Sequence, residues 1–153
     1  MCAVDNWPTG SRAISTGWLL VWILSGSALL GAHSPLVGAG YLLIWVLQYV
    51  HCRYLACTRC YYYGKRCHMF GGDCAKLLFA QREQGKRMPD DAIVGAWWAV
   101  VTLFPVPFLI IWKSWWFLGA YLVVSLGWHG IHHGIACKRC KNSHCPLNAA
   151  PRG

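Results

Sequence analysis

The amino-acid sequence predicts an all-α integral membrane protein: four transmembrane helices with a small cytoplasmic cysteine-rich cap, in a single membrane domain over residues 1–153. Three observations carry that expectation. The chain is 56% hydrophobic and only 12% charged, with ten tryptophans, whereas a soluble globular domain has about 25% charged residues. That leaves too little polar surface to clothe a water-soluble particle. Four apolar stretches have about the length that ~30 Å of hydrocarbon requires at 1.5 Å per residue. Finally, the basic residues are distributed almost entirely to one side of those stretches.

The first stretch runs from Ala13 to Ala32, behind a short polar leader of residues 1–12. Asp5 weakens the leader's positive charge and LLGAHS around Ala32 is a poor cleavage site, so the segment is expected to stay as a helix. GAHSP at 31–35 predicts a tight outer turn, because Pro35 cannot extend the first helix and Gly31 loosens its end. The second stretch, residues 36–52, starts at Leu36 and reaches spanning length only by running past His51. The loop of residues 53–91 is long, and loops of that length are usually functional or disordered. Within it, AKLLFAQREQGKR at 75–87 sets Leu77, Leu78 and Phe79 among cations, the pattern of a short helix on the headgroups or over the cap. Asp90 suits the N-cap of a third helix, Ala92 to Trp112. Pro105 and Pro107 remove backbone donors and must kink that helix. Trp112, Trp115 and Trp116 flank Lys113 as an interfacial aromatic belt. The fourth helix, Trp115 to Ile135, leads into the tail, residues 136–153.

The charges set the orientation. Of fourteen Lys and Arg, only Lys113 falls between the third and fourth helices; the rest lie in the leader, the long loop and the tail. Cationic loops resist translocation, so both termini and the cysteine-rich loop are expected in the cytoplasm, with the protein in the inner or plasma membrane. The same bias explains the net charge of +9 without nucleic acid. A DNA-binding tail would be a run of Lys and Arg, and here the charges are dispersed among cysteines and aromatics. The expected partners are the lipid bilayer and other membrane-protein subunits.

Eight of the nine cysteines follow the second or the fourth helix. Cys52, Cys57, Cys60, Cys67 and Cys74 belong to the first set, and Cys137, Cys140 and Cys145 to the second. Cys2 stands apart and is given no role. A transmembrane hairpin between the sets returns the chain to the side it left, so the two can share ligands. Thiols stay reduced in the cytoplasm, which makes dense cysteine pairs metal ligands rather than disulfides. A C-x-x-C pair turns two thiolates toward one metal, and Cys57/Cys60 with Cys137/Cys140 would complete a four-sulfur site. His68 and His144, beside Cys67 and Cys145, can replace a sulfur in a zinc site. The tail CKRCKNSHCP ends in Cys-Pro and resembles the close of a ferredoxin-type ligand run, without its spacing. The expected cofactor is an iron–sulfur cluster or zinc. Arg59, Lys65, Arg66, Lys138, Arg139 and Lys141 would offset the negative charge of four thiolates around either.

The fourth helix ends in WHGIHHG. At 100° per residue His132 and His133 lie about −60° and +40° from His129, so all three share a side, with Gly127, Gly130 and Gly134 on the other. Ionisable groups inside a membrane mark function by default, and His51 is expected at similar depth. His51, His129, His132 and His133 are therefore candidate ligands to a haem or a metal ion. The H-x-x-H-H pattern also resembles one histidine box of the membrane desaturases and hydroxylases, whose several boxes together hold a di-iron centre. The resemblance covers five residues, and His33, His51, His68 and His144 form no second or third box. No catalytic residue stands out, since carboxylates are nearly absent from the helices. The expected function is electron transfer, or an accessory role, beside a larger membrane complex. Handling or transport of thiophilic metal ions is the alternative, and a histidine-box oxidase or hydroxylase comes third.

Overall fold

The structure, a computed structural model, describes residues 5–83 and 91–142. It is all-α, with no strand among the described residues: α1 (Thr9–His33), α2 (Pro35–Leu55), α3 (Gly71–Leu78), α4 (Asp91–Leu103), α5 (Pro105–Ile111) and α6 (Trp115–Ile131). The segments Thr9–His33, Pro35–Arg59 and Ala92–Ile111 are long and apolar enough to cross a membrane. The fourth expected span is shorter as a regular helix. α6 has 17 residues, about 26 Å at 1.5 Å per residue, and its path continues as a wide π turn over His132–Ala136.

Several boundaries differ from the sequence expectation for clear reasons. Pro35 does more than end the first helix; it opens α2 in its first turn, where a missing N–H costs nothing. Only Ser34 separates the two helices. α2 runs on to Leu55, which puts Cys52 inside a helix rather than at its exit. Of the expected helix at 75–87, the described residues 75–83 hold only the end of α3, which stops at Leu78 where Phe79 turns extended; 84–87 lie outside the described residues. Asp90, the expected N-cap, lies outside the described residues, as do Cys2, His144 and Cys145.

The third segment breaks into α4 and α5 as the prolines require, and the fold compensates for the lost donor. Pro105 has no N–H to give the carbonyl of Val101 one turn earlier. The hydroxyl of Tyr41 on α2 donates to that carbonyl instead, at 3.1 Å, and that of Tyr121 on α6 lies between it and the Thr102 carbonyl, at 3.2 and 2.9 Å. Both tyrosines are buried. The kink is thereby a three-helix junction.

Helices α1 and α2 meet backbone to backbone. A Cβ on Gly38 would stand 2.8 Å from the Gly31 Cα and 2.9 Å from the Ser27 carbonyl oxygen. On α6 the expected glycine face is only partly a packing face. A Cβ on Gly127 would stand 3.2 Å from Trp18, whereas Gly130 and Gly134 look onto open space. Trp22, Trp45 and Trp128 form the aromatic centre of the bundle, with Trp98 stacked on Trp128 at 4.8 Å. Around it the usual distribution is inverted: Ser15, Gln48 and Ser125 are buried while Leu24, Leu43, Val123 and Leu126 face outward. Water-solvated helices do the opposite; the distribution is consistent with helices solvated by lipid.

At one end of the bundle three segments pack together. Arg12 of α1 is ion-paired to Asp73 of α3, with its guanidinium 3.9 Å above the Phe70 ring. The Trp7 backbone N–H donates to the Arg66 carbonyl at 3.1 Å. Lys141 donates to Asp5 at 2.5 Å and Tyr61 to the same carboxylate at 2.6 Å. Gly72 is obligatory here, since a Cβ would fall 1.8 Å from the Tyr62 carbonyl oxygen.

Candidate functional site

The end layer and the bundle enclose a cavity of about 270 Å³. Its wall includes Cys52, Cys57, Cys60 and Cys67 from the first cysteine set and Cys137 and Cys140 from the second. His68 and His132 line it too. The two sets, far apart in sequence, therefore meet around one space.

The two C-x-x-C pairs have the same local build. Residues Cys57–Arg59 and Cys137–Arg139 each form a single 3₁₀ turn. Each turn closes with the N–H of its last cysteine donating to the carbonyl of its first, at 3.3 Å for Cys60 and 3.2 Å for Cys140. Each then leaves the turn in extended backbone. Donors converge on the sulfurs. The Arg53 guanidinium donates to Cys57 Sγ at 3.4 Å. The Tyr62 backbone N–H and the Asn142 side-chain amide donate to Cys60 Sγ at 3.4 and 3.2 Å. Hydrogen bonds to sulfur favour the thiolate, the form that binds metal, and here they offset only part of what burial costs it. Burial acts the other way on Cys140, whose thiol it pushes up against the pull of a backbone N–H at Asn142. Cys52 accepts from Gln48 at 3.7 Å, and Cys74 lies on α3 near Tyr49 and Cys57. Cys52, Cys57, Cys67 and Cys74 are free thiols.

No family model, curated protein or solved structure matches the chain. Its chemistry rests on its own residues.

The histidines divide. His129 and His133 stack parallel, with ring centroids 6.0 Å apart, and the His129 Nε2 stands 3.3 Å from the Thr102 hydroxyl. His132, at the start of the π turn, lies flat on Trp128 at 4.7 Å and faces His68 across 5.8 Å. His68 is buried, 3.1 Å from the Ser15 hydroxyl through Nε2 and edge-on to Trp7. Burial lowers its pKa, which keeps the ring neutral and able to ligate. The Nδ1 atoms of His68 and His132 are both buried without a hydrogen-bond partner. His51 is elsewhere engaged: its Nδ1 accepts from Trp97 at 2.8 Å, so its lone pair is taken and its proton sits on Nε2. The sequence already offered His68, beside Cys67, as a replacement for a sulfur in a zinc site. Its pairing with His132 has no signal in the sequence, because it depends on the π turn.

Among the described residues no three His, Cys, Asp or Glu side chains stand close enough to hold one metal ion. The sulfurs share a wall, not a point.

Proposed function

We propose that this is a four-span membrane protein whose cytoplasmic cysteine cap holds a metal centre shared between the long loop and the tail. The centre is an iron–sulfur cluster in the first reading and zinc in the second, and the role is electron transfer or an accessory one beside a larger membrane complex. One observation carries the proposal: two C-x-x-C turns of the same build, from segments some eighty residues apart in the chain, line a single cavity. The cytoplasmic placement rests on the distribution of Lys and Arg. A zinc ion draws its ligands in to about 2.3 Å. A cluster keeps its cysteines apart with its own iron and sulfide, which suits sulfurs spread around about 270 Å³. Iron, zinc and labile-sulfide analysis of the purified full-length protein tests this directly. Iron with sulfide and a brown colour is the expected result; zinc alone makes the site a structural staple, and neither metal nor sulfide sinks the proposal.

The second reading, handling of thiophilic metal ions, is favoured by the adjoining rings of His129, His133 and His132, which lead from the helix toward the cysteines. A strain lacking the protein would then show altered sensitivity to copper or cadmium. An unchanged growth response would remove that reading.

A further inference from the structure

The exposed apolar residues of α2 form one stripe. Leu36, Leu43, Leu47, Val50 and Tyr54 all face outward, and steps of three, four or seven residues keep them on one side of the helix. From Leu36 to Tyr54 the helix rises about 27 Å, close to the ~30 Å of a hydrocarbon core. Tyr54 therefore ends the lipid-facing stripe at headgroup depth, on the cysteine side.

The chain comes back to that point after α3. Phe79 sets its ring edge-on to Tyr54, with centroids 5.5 Å apart. The Arg82 guanidinium stands 4.9 Å from the centre of the same tyrosine ring. Two hydrogen bonds hold the segment there. The Tyr63 hydroxyl donates to the Phe79 carbonyl at 2.7 Å, and the Arg82 backbone N–H donates to the Thr58 carbonyl at 3.0 Å. Next to Phe79, at the end of α3, Leu77 and Leu78 are 85% and 55% exposed. Apolar side chains set among cations at this depth meet acyl chains.

Charge decides which lipid suits them. Residues 53–83 carry six Lys and Arg against Asp73 and Glu83, and Asp73 is already paired with Arg12. Lys76 is exposed and precedes the two leucines directly. Neither Lys76 nor Arg82 is ion-paired among the described residues. One Arg82 nitrogen, Nη1, is buried, so what Arg82 offers outward is its charge and not that N–H. A cation at this level raises affinity for an anionic surface about fivefold. A zwitterionic headgroup gives it no net attraction.

We propose that residues 76–82, seated on Tyr54, form a binding site for an anionic phospholipid of the leaflet on the cysteine side. Its phosphate would lie beside Lys76 and Arg82, and its acyl chains along Leu77, Leu78 and the α2 stripe. The site rests on the membrane reading and is independent of the metal centre.

The test uses the full-length protein in mild detergent, titrated with phosphatidylglycerol or phosphatidylcholine of the same acyl chains. Bound lipid is counted by native mass spectrometry. Phosphatidylglycerol should bind saturably and roughly 5- to 25-fold more tightly than phosphatidylcholine. Lys76→Gln with Arg82→Gln should remove that preference and leave phosphatidylcholine binding unchanged. Because Arg82 also packs on Tyr54, Lys76→Gln alone repeats the measurement at an exposed position, with a loss of about fivefold expected. Lys113→Gln, at the opposite end of the bundle, should change nothing. Equal affinity for the two phospholipids would overturn the proposal and leave the membrane spans standing. So would a preference untouched by Lys76→Gln and by the double change. Displacement of phosphatidylglycerol by millimolar glycerol 3-phosphate would mark a free-phosphate site and overturn it as well. Binding of neither phospholipid would count against the spans themselves and the site together.

Discussion

The hydroxyl of Tyr41 reaches across from α2 to the carbonyl of Val101, 3.1 Å away, which Pro105 leaves without its helical partner. Tyr121 reaches the same oxygen at 3.2 Å and the Thr102 carbonyl at 2.9 Å, so its one proton can turn to Val101 when Tyr41 is removed. Tyr41→Phe and Tyr121→Phe should each cost less than about 1 kcal/mol, and the double variant about 1–3 kcal/mol, the penalty of an unsatisfied buried carbonyl. Thermal unfolding in detergent measures this. Simple additivity of the two single changes would argue against shared satisfaction.

The glycines give a second contrast. Gly38→Ala forces a methyl against the Gly31 backbone at 2.8 Å, where nothing flexible can yield. A loss of about 1–3 kcal/mol is expected, as for overpacking. Gly130→Ala meets open space, and in a helix it should be neutral or stabilising by up to about 1 kcal/mol. Equal effects at the two positions would mean that α1 and α2 do not pack at Gly38.

Arg12 ties the first helix to the end layer. Its side chain is 7% exposed while Asp73 keeps 39%, so the pair is half wet and the 3–5 kcal/mol of a fully buried pair must be reduced. Arg12→Ala should cost about 2–3 kcal/mol, more than Asp73→Asn, because removing the acid leaves the cation its contact with Phe70. A double-mutant cycle separates the pair from that contact.

Much of this architecture can be read in the chain. Low charge and long apolar runs gave the helices, and Pro105 with Pro107 gave the break between α4 and α5. The convergence of the two cysteine sets follows from counting helices. Other features were not legible because they are tertiary. Gly38 looks no different in sequence from Gly130, and only the approach of α1 distinguishes them. The histidines looked like one face at 100° per residue, but the π turn at His132 sends that ring toward His68. His51 was read as a ligand by its depth, and Trp97 on α4 claims it instead.

That pairing yields a fourth prediction. His68→Gln and His132→Gln should each reduce bound metal, with affinity falling about 10–100-fold, the scale of disrupted ligation or of its supporting shell. His51→Gln, whose nitrogen is already bonded to Trp97, should leave metal content unchanged. Metal analysis of the three variants, beside circular dichroism to show retained helix, decides it. Loss of metal in His51→Gln alone would return that residue to the site.

The central claim is that the loop and the tail hold one centre between them. Metal stoichiometry of Cys57→Ser/Cys60→Ser against Cys137→Ser/Cys140→Ser, each purified at full length, tests it most directly. A single shared centre predicts that either pair of changes removes the same, complete amount of metal, and that combining all four removes no more. If each pair removes an independent half, or if neither changes the metal content, the two turns do not share a centre and the account is wrong.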